Sequence, residues 1–369
     1  MKKIVFILSS LQDYHAIKRI QEFKEHGYEY EVCGFSRDNG NLPDIPFRTI
    51  GQFVNGSSYF GRLFRIVPIM RRFLKEYDKQ DVILFCFGFD IALFVFLFSK
   101  RKYIYESCDL MYTYFKIPFL CTICKWIDRK LIASSIETVL TSNGFVEYLY
   151  PSKTKPDNIS LITNRLNPSV LNVLDSGYTK RRPDIHKLII SYNGFLRDNH
   201  LLLFAKTVAE NYPDITIVFN GIVQNFNKKY TKILEQLKKE KNIKFTGEFK
   251  NPEDLPRLHR ETDLLLCTYD TSFDNVRYLE PNKIYESILF HTPIIVSEGT
   301  YLAKKVKDLG IGFVVNAADP KSIKLFLDSL TVESILEKQQ ACAAIPEVEC
   351  LNINETFFNK IRSHFLESF

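Results

Sequence analysis

Short apolar runs alternate with helix-like stretches along the chain, and this alternation restarts once. In the first half the runs are 4–8, 28–35, 81–87, 102–107 and 138–142, with helix-like stretches at 14–26, 60–78, 91–99 and 112–134. In the second half the runs are 186–194, 214–221, 242–249, 263–270, 293–297 and 312–316. Strands that alternate with helices form parallel sheets through crossover connections. The sequence therefore predicts an α/β protein with two Rossmann-like, doubly wound domains.

The length and a shift in composition place the domain boundary. The chain has 369 residues, which is more than one hydrophobic core usually serves. Residues 151–183 are rich in Pro, Asn, Ser and Lys, which indicates a last strand followed by a linker. We predict an N-terminal domain over 1–170, a C-terminal domain over 184–350 and a closing C-terminal helix over 351–369.

The excess of positive charge lies entirely in the first half. Residues 1–180 contain 24 Lys and Arg against 18 Asp and Glu, which leaves 25 of each kind for residues 181–369. A negative partner is therefore expected for the first half. Two aromatic and basic stretches, 58–79 and 111–131, are candidates for contact with an anionic membrane surface, unless they pack on their own sheet. No nucleic-acid partner is predicted, because the sequence shows no basic tail and none of the motifs of such proteins.

The cysteines and the apolar runs predict a compartment. The 8 cysteines mostly lie inside apolar runs, which indicates buried thiols in a reducing environment. Cys121 and Cys124 form a CxxC pair without two further ligands at zinc spacing, so no metal site is predicted. The first apolar run is too short for a signal peptide, and the run 91–99 is too short to span a bilayer. We expect a cytoplasmic protein, peripheral on the inner face of the cytoplasmic membrane if the basic stretches bind lipid.

One short stretch, "EPNKIYESILFHTPIIVS" at 280–297, places a lysine where it is unfavourable. Pro281 suits the first position of a helix, so Lys283 falls in the first turn, where the helix dipole disfavours a cation. Lys283 and Glu286 are three residues apart and share a face. They either form a surface ion pair or bind a ligand, the lysine a phosphate and the carboxylate the hydroxyls of a sugar.

The block "PNKIYE" followed by "PIIVS" resembles the C-terminal signature of the retaining GT-B glycosyltransferases, the group 1 class. The resemblance implies that Glu286 holds the ribose of a nucleotide sugar and that Asn282 and Lys283 meet its phosphates. "YNGFLRDNH" at 192–200 resembles the first loop of the donor domain, which implies close backbone approach at Gly194 and a diphosphate contact from Arg197.

Two further segments resemble the same class. "IKFTGEF" at 243–249 is similar to the strand and glycine turn beside the base, which implies a contact by Gly247, Glu248 and Phe249. "KYIYESCDLMY" at 102–112 resembles a strand end of the acceptor domain and implies that Asp109 contacts a sugar. The residues alone also allow Asp109 to cap the helix that follows it.

Departures from the pattern of the class concern the catalytic details. The class often has a second glutamate eight residues before the first, but Tyr278 stands there, and Glu280 or Asp274 would have to replace it. The lysine that often follows Arg197 is missing, His291 stands where a glycine commonly ends the helix, and Cys108 precedes Asp109 in place of a histidine.

The resemblance and the residues together predict a hexosyltransferase-type glycosyltransferase. It would move a sugar from a UDP- or GDP-sugar to a lipid-linked or growing surface-polysaccharide acceptor, with retention and without a metal or other cofactor. Preorganised positive charge can stabilise the diphosphate leaving group, so Arg197 and Lys283 are predicted catalytic residues, and Asp109 is the third through its implied contact to a sugar. The alternatives are a nucleotide-sugar epimerase on the same fold and a catalytically silent nucleotide-sugar-binding subunit.

Overall fold

The computed structural model describes residues 3–37, 44–53, 59–115, 117–151, 154–174, 177–224 and 226–366, and for residues 53, 59–64 and 366 it describes the backbone only. The chain divides into two compact units. The first combines Met1–Ile162 with Asn354–Phe369, and the second is Thr163–Ile353.

The first unit contains a sheet of seven parallel strands in the order β3-β2-β1-β4-β5-β6-β7. The strands are β1 (Lys3–Leu8), β2 (Tyr30–Arg37), β3 (Arg48–Phe53), β4 (Val82–Phe87), β5 (Tyr103–Ser107), β6 (Glu137–Leu140) and β7 (Ile159–Leu161). The helices are α1 (Tyr14–Glu25), α2 (Tyr59–Lys75), α3 (Phe89–Phe98), α4 (Pro118–Ser134), α5 (Asn143–Leu149) and, at the end of the chain, α14 (Glu355–Leu366). Every residue of β4, with the sequence "VILFCF", is buried, as expected for a central parallel strand covered on both faces.

The second unit contains a sheet of six parallel strands in the order β10-β9-β8-β11-β12-β13. The strands are β8 (Ile189–Asn193), β9 (Thr216–Asn220), β10 (Ile243–Gly247), β11 (Leu264–Cys267), β12 (Ile294–Ser297) and β13 (Gly312–Val315). The helices are α6 (Asn199–Asn211), α7 (Lys228–Leu237), α8 (Leu255–Glu261), α9 (Asp274–Tyr278), α10 (Lys283–Leu289), α11 (Tyr301–Leu309), α12 (Pro320–Ser329) and α13 (Val332–Ala343).

These two sheets confirm the predicted fold class, and each of the predicted apolar runs overlaps a strand. The edge strand β3, "RTIGQF", was not predicted, because it has few apolar residues and contains Gly51. The predicted helix 112–134 is a 3₁₀ turn, Met111–Tyr114, followed by α4, since Pro118 disfavours helical backbone in the residue before it.

The chain passes between the two units twice, and both passages differ from the predicted boundaries. Residues 163–170, predicted in the first domain, belong to the second unit, where Leu166 and Val170 join an apolar cluster with Ile284. The predicted closing helix belongs to the first unit, where Phe358 and Ile361 of α14 are buried in its core. Residues 367–369 lie outside the described residues. Among the helices that the structure describes, none has both the length and the apolar character needed to cross a bilayer.

Candidate functional site

Three neighbouring strands of the second unit are followed or ended by glycines with positive φ. The φ angles are 132° at Gly194, 127° at Gly221 and 81° at Gly247, in a region that side-chain-bearing residues rarely adopt. The Gly194 amide donates to the Asn220 carbonyl at 2.8 Å, and the Gly221 amide donates to the Gly247 carbonyl at 2.6 Å. A Cβ at Gly221 would collide with the Gly194 carbonyl oxygen. The glycines therefore allow the backbones to approach closely at the carboxyl ends of β8, β9 and β10.

A chain of polar side chains connects the same strand ends. Thr246 Oγ1 donates to Asn220 Oδ1 at 2.7 Å, and Asn220 Nδ2 donates to Asn193 Oδ1 at 2.8 Å. The chain ends at Asn193 Nδ2, which is buried and has no hydrogen-bond partner among the described residues. An unsatisfied buried donor is costly, so this atom is suited to receive an acceptor from a ligand.

Lys283, the first residue of α10, is buried beside Gly194. Its side chain is 8% exposed, and Nζ lies 4.9 Å from the centroid of the Tyr192 ring. A Cβ at Gly194 would lie 3.3 Å from Nζ, so glycine leaves room for the ammonium group. Within the described part of the chain, Nζ has no hydrogen bond or ion pair. Burial lowers the pKa of Lys283, but the neighbouring Tyr192, Cys267 and Glu286 outweigh this effect and hold the pKa above its usual value.

Glu286 is buried on the same short helix. Its Oε1 accepts a hydrogen bond from Asn282 Nδ2 at 2.8 Å. Its Oε2 has no hydrogen-bond partner among the described residues and lies 3.6 Å from His259 Nε2. With Lys283 8% and Glu286 3% exposed and no ion pair between them, the interpretation as a surface ion pair is wrong. The helix begins at Lys283, with Asn282 as its N-cap, so Pro281 precedes the helix and does not occupy its first position.

Asp198 fastens the loop after β8 to the loop after β11. It caps α6 by accepting from the His200 amide at 2.8 Å, and its other oxygen accepts from the Asp270 amide at 2.8 Å. His200 Nδ1 lies 2.8 Å from the Tyr269 carbonyl oxygen, to which it donates. Burial raises the pKa of Asp198. The sequence analysis did not single out Asp198, although an aspartate directly before a helical pattern is the usual capping signal.

The exposed Arg197 lies next to Asp198 in the same loop. Its guanidinium forms no hydrogen bond or ion pair with the described residues, and it lies close enough to Lys283 and Tyr192 for its charge to oppose, without reversing, the rise in the pKa of both groups. Two cations near one glycine turn, neither of them paired with a carboxylate, are an arrangement that favours an anion.

The remaining predicted donor residues lie at the end of β10. Gly247 and Glu248 are exposed, while Phe249 is partly buried against the apolar cluster that contains Ile284. The structure thus places Gly247 and Glu248 where a ligand can reach them, and it gives Phe249 a packing role as well.

Both candidates for the missing second glutamate, Glu280 and Asp274, already interact with other side chains. Glu280 is 1% exposed, accepts a hydrogen bond from the Tyr285 hydroxyl and pairs with Lys305 Nζ at 2.6 Å. Asp274 lies 3.5 Å from Arg277 and is 41% exposed. Glu280 is therefore occupied in stabilising the segment before α10.

Asp109 lies in the first unit, in the loop after β5, and is exposed. The 3₁₀ turn after it is capped by Leu110 without a side-chain hydrogen bond, so the interpretation of Asp109 as a helix cap is wrong. Its neighbour Glu106, which the sequence analysis did not single out, is buried in a bidentate ion pair with Arg19, at 3.0 and 3.2 Å. These two residues are 87 positions apart, and no local signal connects them.

The comparisons with solved structures concern the fold. HepE from Anabaena, solved with UDP and glucose, matches with a TM-score of 0.68 and 15% identity over 100% of both chains. Sucrose-phosphate synthase from Thermosynechococcus elongatus matches with a TM-score of 0.65 and 14% identity over 100% of this chain and 99% of that one. The lipopolysaccharide outer core galactosyltransferase WaaB, in its apo form, matches with a TM-score of 0.61 and 15% identity, over 98% of this chain and 99% of that one. The chain thus has the two-domain fold of the GT-B glycosyltransferases.

The second half of the chain matches a known family. Residues 182–345, which cover most of the second unit, match the family described as "Glycosyl transferases group 1". The matched segment contains "PNKIYE" and "PIIVS", which confirms the resemblance to the group 1 class that these residues carry. No curated protein gives a significant match.

Proposed function

We propose that the chain transfers a sugar from a UDP- or GDP-sugar to a lipid-linked or growing polysaccharide acceptor. The second unit holds the donor, and the first unit holds the acceptor. The observation that carries the proposal is the placement of Lys283: a buried ammonium group, without a carboxylate partner among the described residues, over the Gly194 turn. HepE, which shares the fold, was solved with UDP, with UDP and glucose and with UDP-glucose, which supports a nucleotide-sugar donor.

The chemistry assigned to these residues is stabilisation of the leaving group. As the bond to the sugar breaks, negative charge develops on the diphosphate, and fixed positive charge lowers the free energy of that state. Lys283 and Arg197 supply this charge, and the backbone amides near Gly194 add donors. Glu286 accepts hydrogen bonds from the ribose, and Asp109 contacts the acceptor. We propose a hexosyl transfer with retention that needs no metal. Among the described residues, no three His, Cys, Asp or Glu side chains gather as a metal site requires.

The first unit offers a surface for a membrane-bound acceptor. Exposed apolar side chains lie on the 3₁₀ turn, at the N-cap of α4 and on α4 itself: Met111 (57%), Ile117 (55%), Phe119 (71%) and Trp126 (59%). Helix α4 packs against α3, and α3 packs against α2, which carries the exposed Arg65, Arg71 and Arg72. Apolar side chains beside basic ones are typical of surfaces that enter the headgroup region of an anionic membrane. Ser58, Lys116 and the side chains of 59–64 lie outside the described residues.

The donor part is tested by thermal unfolding with UDP, GDP, ADP and CMP. A ligand that binds only the folded state raises the midpoint, so one of the two predicted diphosphates is expected to raise it more than the others. Incubation of the corresponding sugar nucleotide with a lipid-linked saccharide should then yield a longer saccharide. Release of a free epimerised sugar nucleotide without an acceptor would support an epimerase instead. Tight binding without turnover on any acceptor would support a silent binding subunit.

The membrane part is tested by co-sedimentation with vesicles of phosphatidylcholine and phosphatidylglycerol. Replacing Arg65, Arg71 and Arg72 by Ala should weaken binding at low salt, because each basic residue near an anionic surface contributes about 1 kcal/mol. Trp126→Ser should weaken it as well, whereas Leu325→Ser, at an exposed leucine (72%) in the second unit, is the control and should bind as wild type does. Unchanged sedimentation of both α2 and α4 variants would remove the membrane surface from the proposal.

A further inference from the structure

A buried polar cluster in the second unit ends at Glu286. His259 of α8 and Thr292 are both 0% exposed, and Glu286 is 3% exposed. The His259 ring stacks on Phe290, with centroids 4.6 Å apart and an interplanar angle of 14°, so its position is set by packing. Lys180 reaches the cluster from the chain before β8, and its Nζ donates to the carbonyls of His259 and Thr262.

Thr292 determines which ring nitrogen of His259 carries a proton. The Thr292 hydroxyl donates to the Phe290 carbonyl at 3.1 Å, so its oxygen is left as an acceptor. That oxygen receives hydrogen bonds from Lys180 Nζ at 2.9 Å and from His259 Nδ1 at 3.0 Å. This network assigns the proton of the neutral imidazole to Nδ1 and leaves a lone pair on Nε2.

The Nε2 atom faces the Glu286 carboxylate. Its 3.6 Å distance to Oε2 is longer than a hydrogen bond, and neither atom has another partner among the described residues. When His259 Nε2 or Glu286 Oε2 carries a proton, the contact between these two atoms is attractive. When neither atom carries one, their lone pairs repel each other. Burial lowers the pKa of His259, while the carboxylate of Glu286 opposes that shift. In either protonation state the fixed ring limits where Oε2 can lie.

We propose that His259 is a positioning residue, which orients the Glu286 carboxylate for the ribose hydroxyls of the donor. This inference rests on the donor site proposed above. Asn282 holds Oε1 at 2.8 Å, and His259 confines Oε2, so that the carboxylate is constrained at both oxygens. A hydrogen bond to a hydroxyl weakens steeply when its angle is poor. Loss of the Nε2 contact is therefore expected to reduce the part of the affinity that depends on the ribose hydroxyls.

The test is calorimetric titration of the full chain with UDP or GDP, whichever binds more tightly, and with its 2′-deoxy and 3′-deoxy forms. His259→Phe keeps a ring against Phe290 and removes both nitrogens. It should reduce the preference for the ribose form roughly 5- to 10-fold, which corresponds to one ordinary hydrogen bond. Affinity for the deoxy forms should stay nearly unchanged. Thr292→Val, which removes the acceptor of Nδ1, should reduce the preference in the same direction and serves as a second variant if His259→Phe does not fold.

Two further variants complete the test. Glu286→Gln should reduce the preference, and His259→Phe should have little additional effect in the Glu286→Gln background. His291→Asn is the matched control, because that imidazole lies near Glu347 and Lys180 rather than Glu286.

If Glu286→Gln abolishes the preference while His259→Phe and Thr292→Val keep it, the inference is overturned and the donor site stands. Equal weakening of ribose and deoxy forms in His259→Phe also overturns it. A wild type without any ribose preference overturns the ribose role of Glu286 and this inference with it.

Discussion

Buried charges near the strand ends differ in their partners between the two units. In the first unit, Glu106 is 2% exposed and Arg19 is 6% exposed, and the two form a bidentate pair at 3.0 and 3.2 Å. Buried Asp128, on α4, accepts hydrogen bonds from the hydroxyls of Tyr105 and Tyr112, each at 2.9 Å. In the second unit, Lys283 has only a cation–π contact with Tyr192 within the described part of the chain.

This difference in partners distinguishes buried charges that are paired within the protein from a buried charge that is available to a ligand. Removing a charge from water is costly, and a partner in the protein offsets that cost in the first unit. For Lys283 the described residues supply no hydrogen bond or ion pair, only the Tyr192 ring and the nearby charge of Glu286, so we expect the folded state to depend less on this ammonium group than on Arg19. The substitutions that follow should therefore lower stability where the charge is paired within the protein, as for Arg19, and lower nucleotide affinity where it is not, as for Lys283.

The largest effect is expected for Arg19→Met. Removing one partner of a buried ion pair leaves an uncompensated charge and typically costs about 3–5 kcal/mol. The free energy of unfolding of the first unit should fall by this amount. The chain has 1 Trp, and Trp126 lies in the first unit, so its fluorescence during urea unfolding reports on that unit.

The matched control for Arg19→Met is Arg48→Met. Arg48 also pairs with a glutamate in the first unit, at 2.6 Å from Glu76, but the two side chains are 48% and 41% exposed. Exposed pairs contribute roughly 0–1 kcal/mol. Equal losses in the two variants would mean that burial does not distinguish the pairs, and the comparison would fail for the first unit.

A smaller effect, of another kind, is expected for Lys283→Ala. Its affinity for UDP or GDP should fall by about 1.5–3 kcal/mol, the range for a hydrogen bond to a charged group, or roughly 10- to 150-fold in Kd. Its free energy of unfolding should change much less than in Arg19→Met, because Lys283 has no hydrogen bond or ion pair with the described residues. Calorimetric titration and thermal unfolding measure the two quantities.

Lys305→Ala provides the opposite pattern in the same unit. Lys305 pairs with the buried Glu280 at 2.6 Å, so its removal should lower stability and leave nucleotide affinity intact. Undiminished diphosphate affinity in Lys283→Ala would show the lysine to be a structural group, and the contrast between the units would then have no functional meaning.

Local pattern was sufficient for the fold and for part of the site. Strands such as β4 are buried on both faces, so they appear as uninterrupted apolar runs. Lys283 and Glu286 share a helix face because they are three residues apart, and the loop glycine Gly194 follows an apolar run directly.

The contacts that the sequence analysis missed join residues that are distant in the chain. Arg19 and Glu106 are 87 positions apart, and His259 and Thr292 are 33 apart. Such pairs depend on the order of strands in the sheet, which periodicity does not encode. Burial of Lys283 depends on Tyr192 and Gly194 of another strand end, so the spacing alone left open whether the first-turn lysine forms a surface ion pair or binds a ligand. The separation of 163–170 from the first domain depends on packing with α10, which its polar composition does not reveal.

Asp128 sharpens the comparison through pH. Burial raises the pKa of Asp128 to about 6, although the hydroxyls of Tyr112 and Tyr105 oppose the shift. In the unfolded chain an aspartate titrates near about 3.9. Between these two values the folded state binds more protons than the unfolded state, so stability falls as pH rises from about 4 to 6 and is constant above.

The smallest effect is therefore expected as a difference between two pH profiles. From pH 4.5 to pH 7, wild type should lose roughly 1–2 kcal/mol more stability than Asp128→Asn, which has no carboxyl to titrate. Trp126 fluorescence during urea unfolding at both pH values gives the four free energies, and contributions from other titrating groups cancel in the difference. Tyr112→Phe removes one donor to the Asp128 carboxylate and should extend the pH range over which stability falls to higher pH.

Parallel profiles for wild type and Asp128→Asn would mean that Asp128 titrates alike in the folded and unfolded states. The two tyrosine hydroxyls would then satisfy a buried charge as fully as Arg19 satisfies Glu106, and pairing alone would account for the first unit.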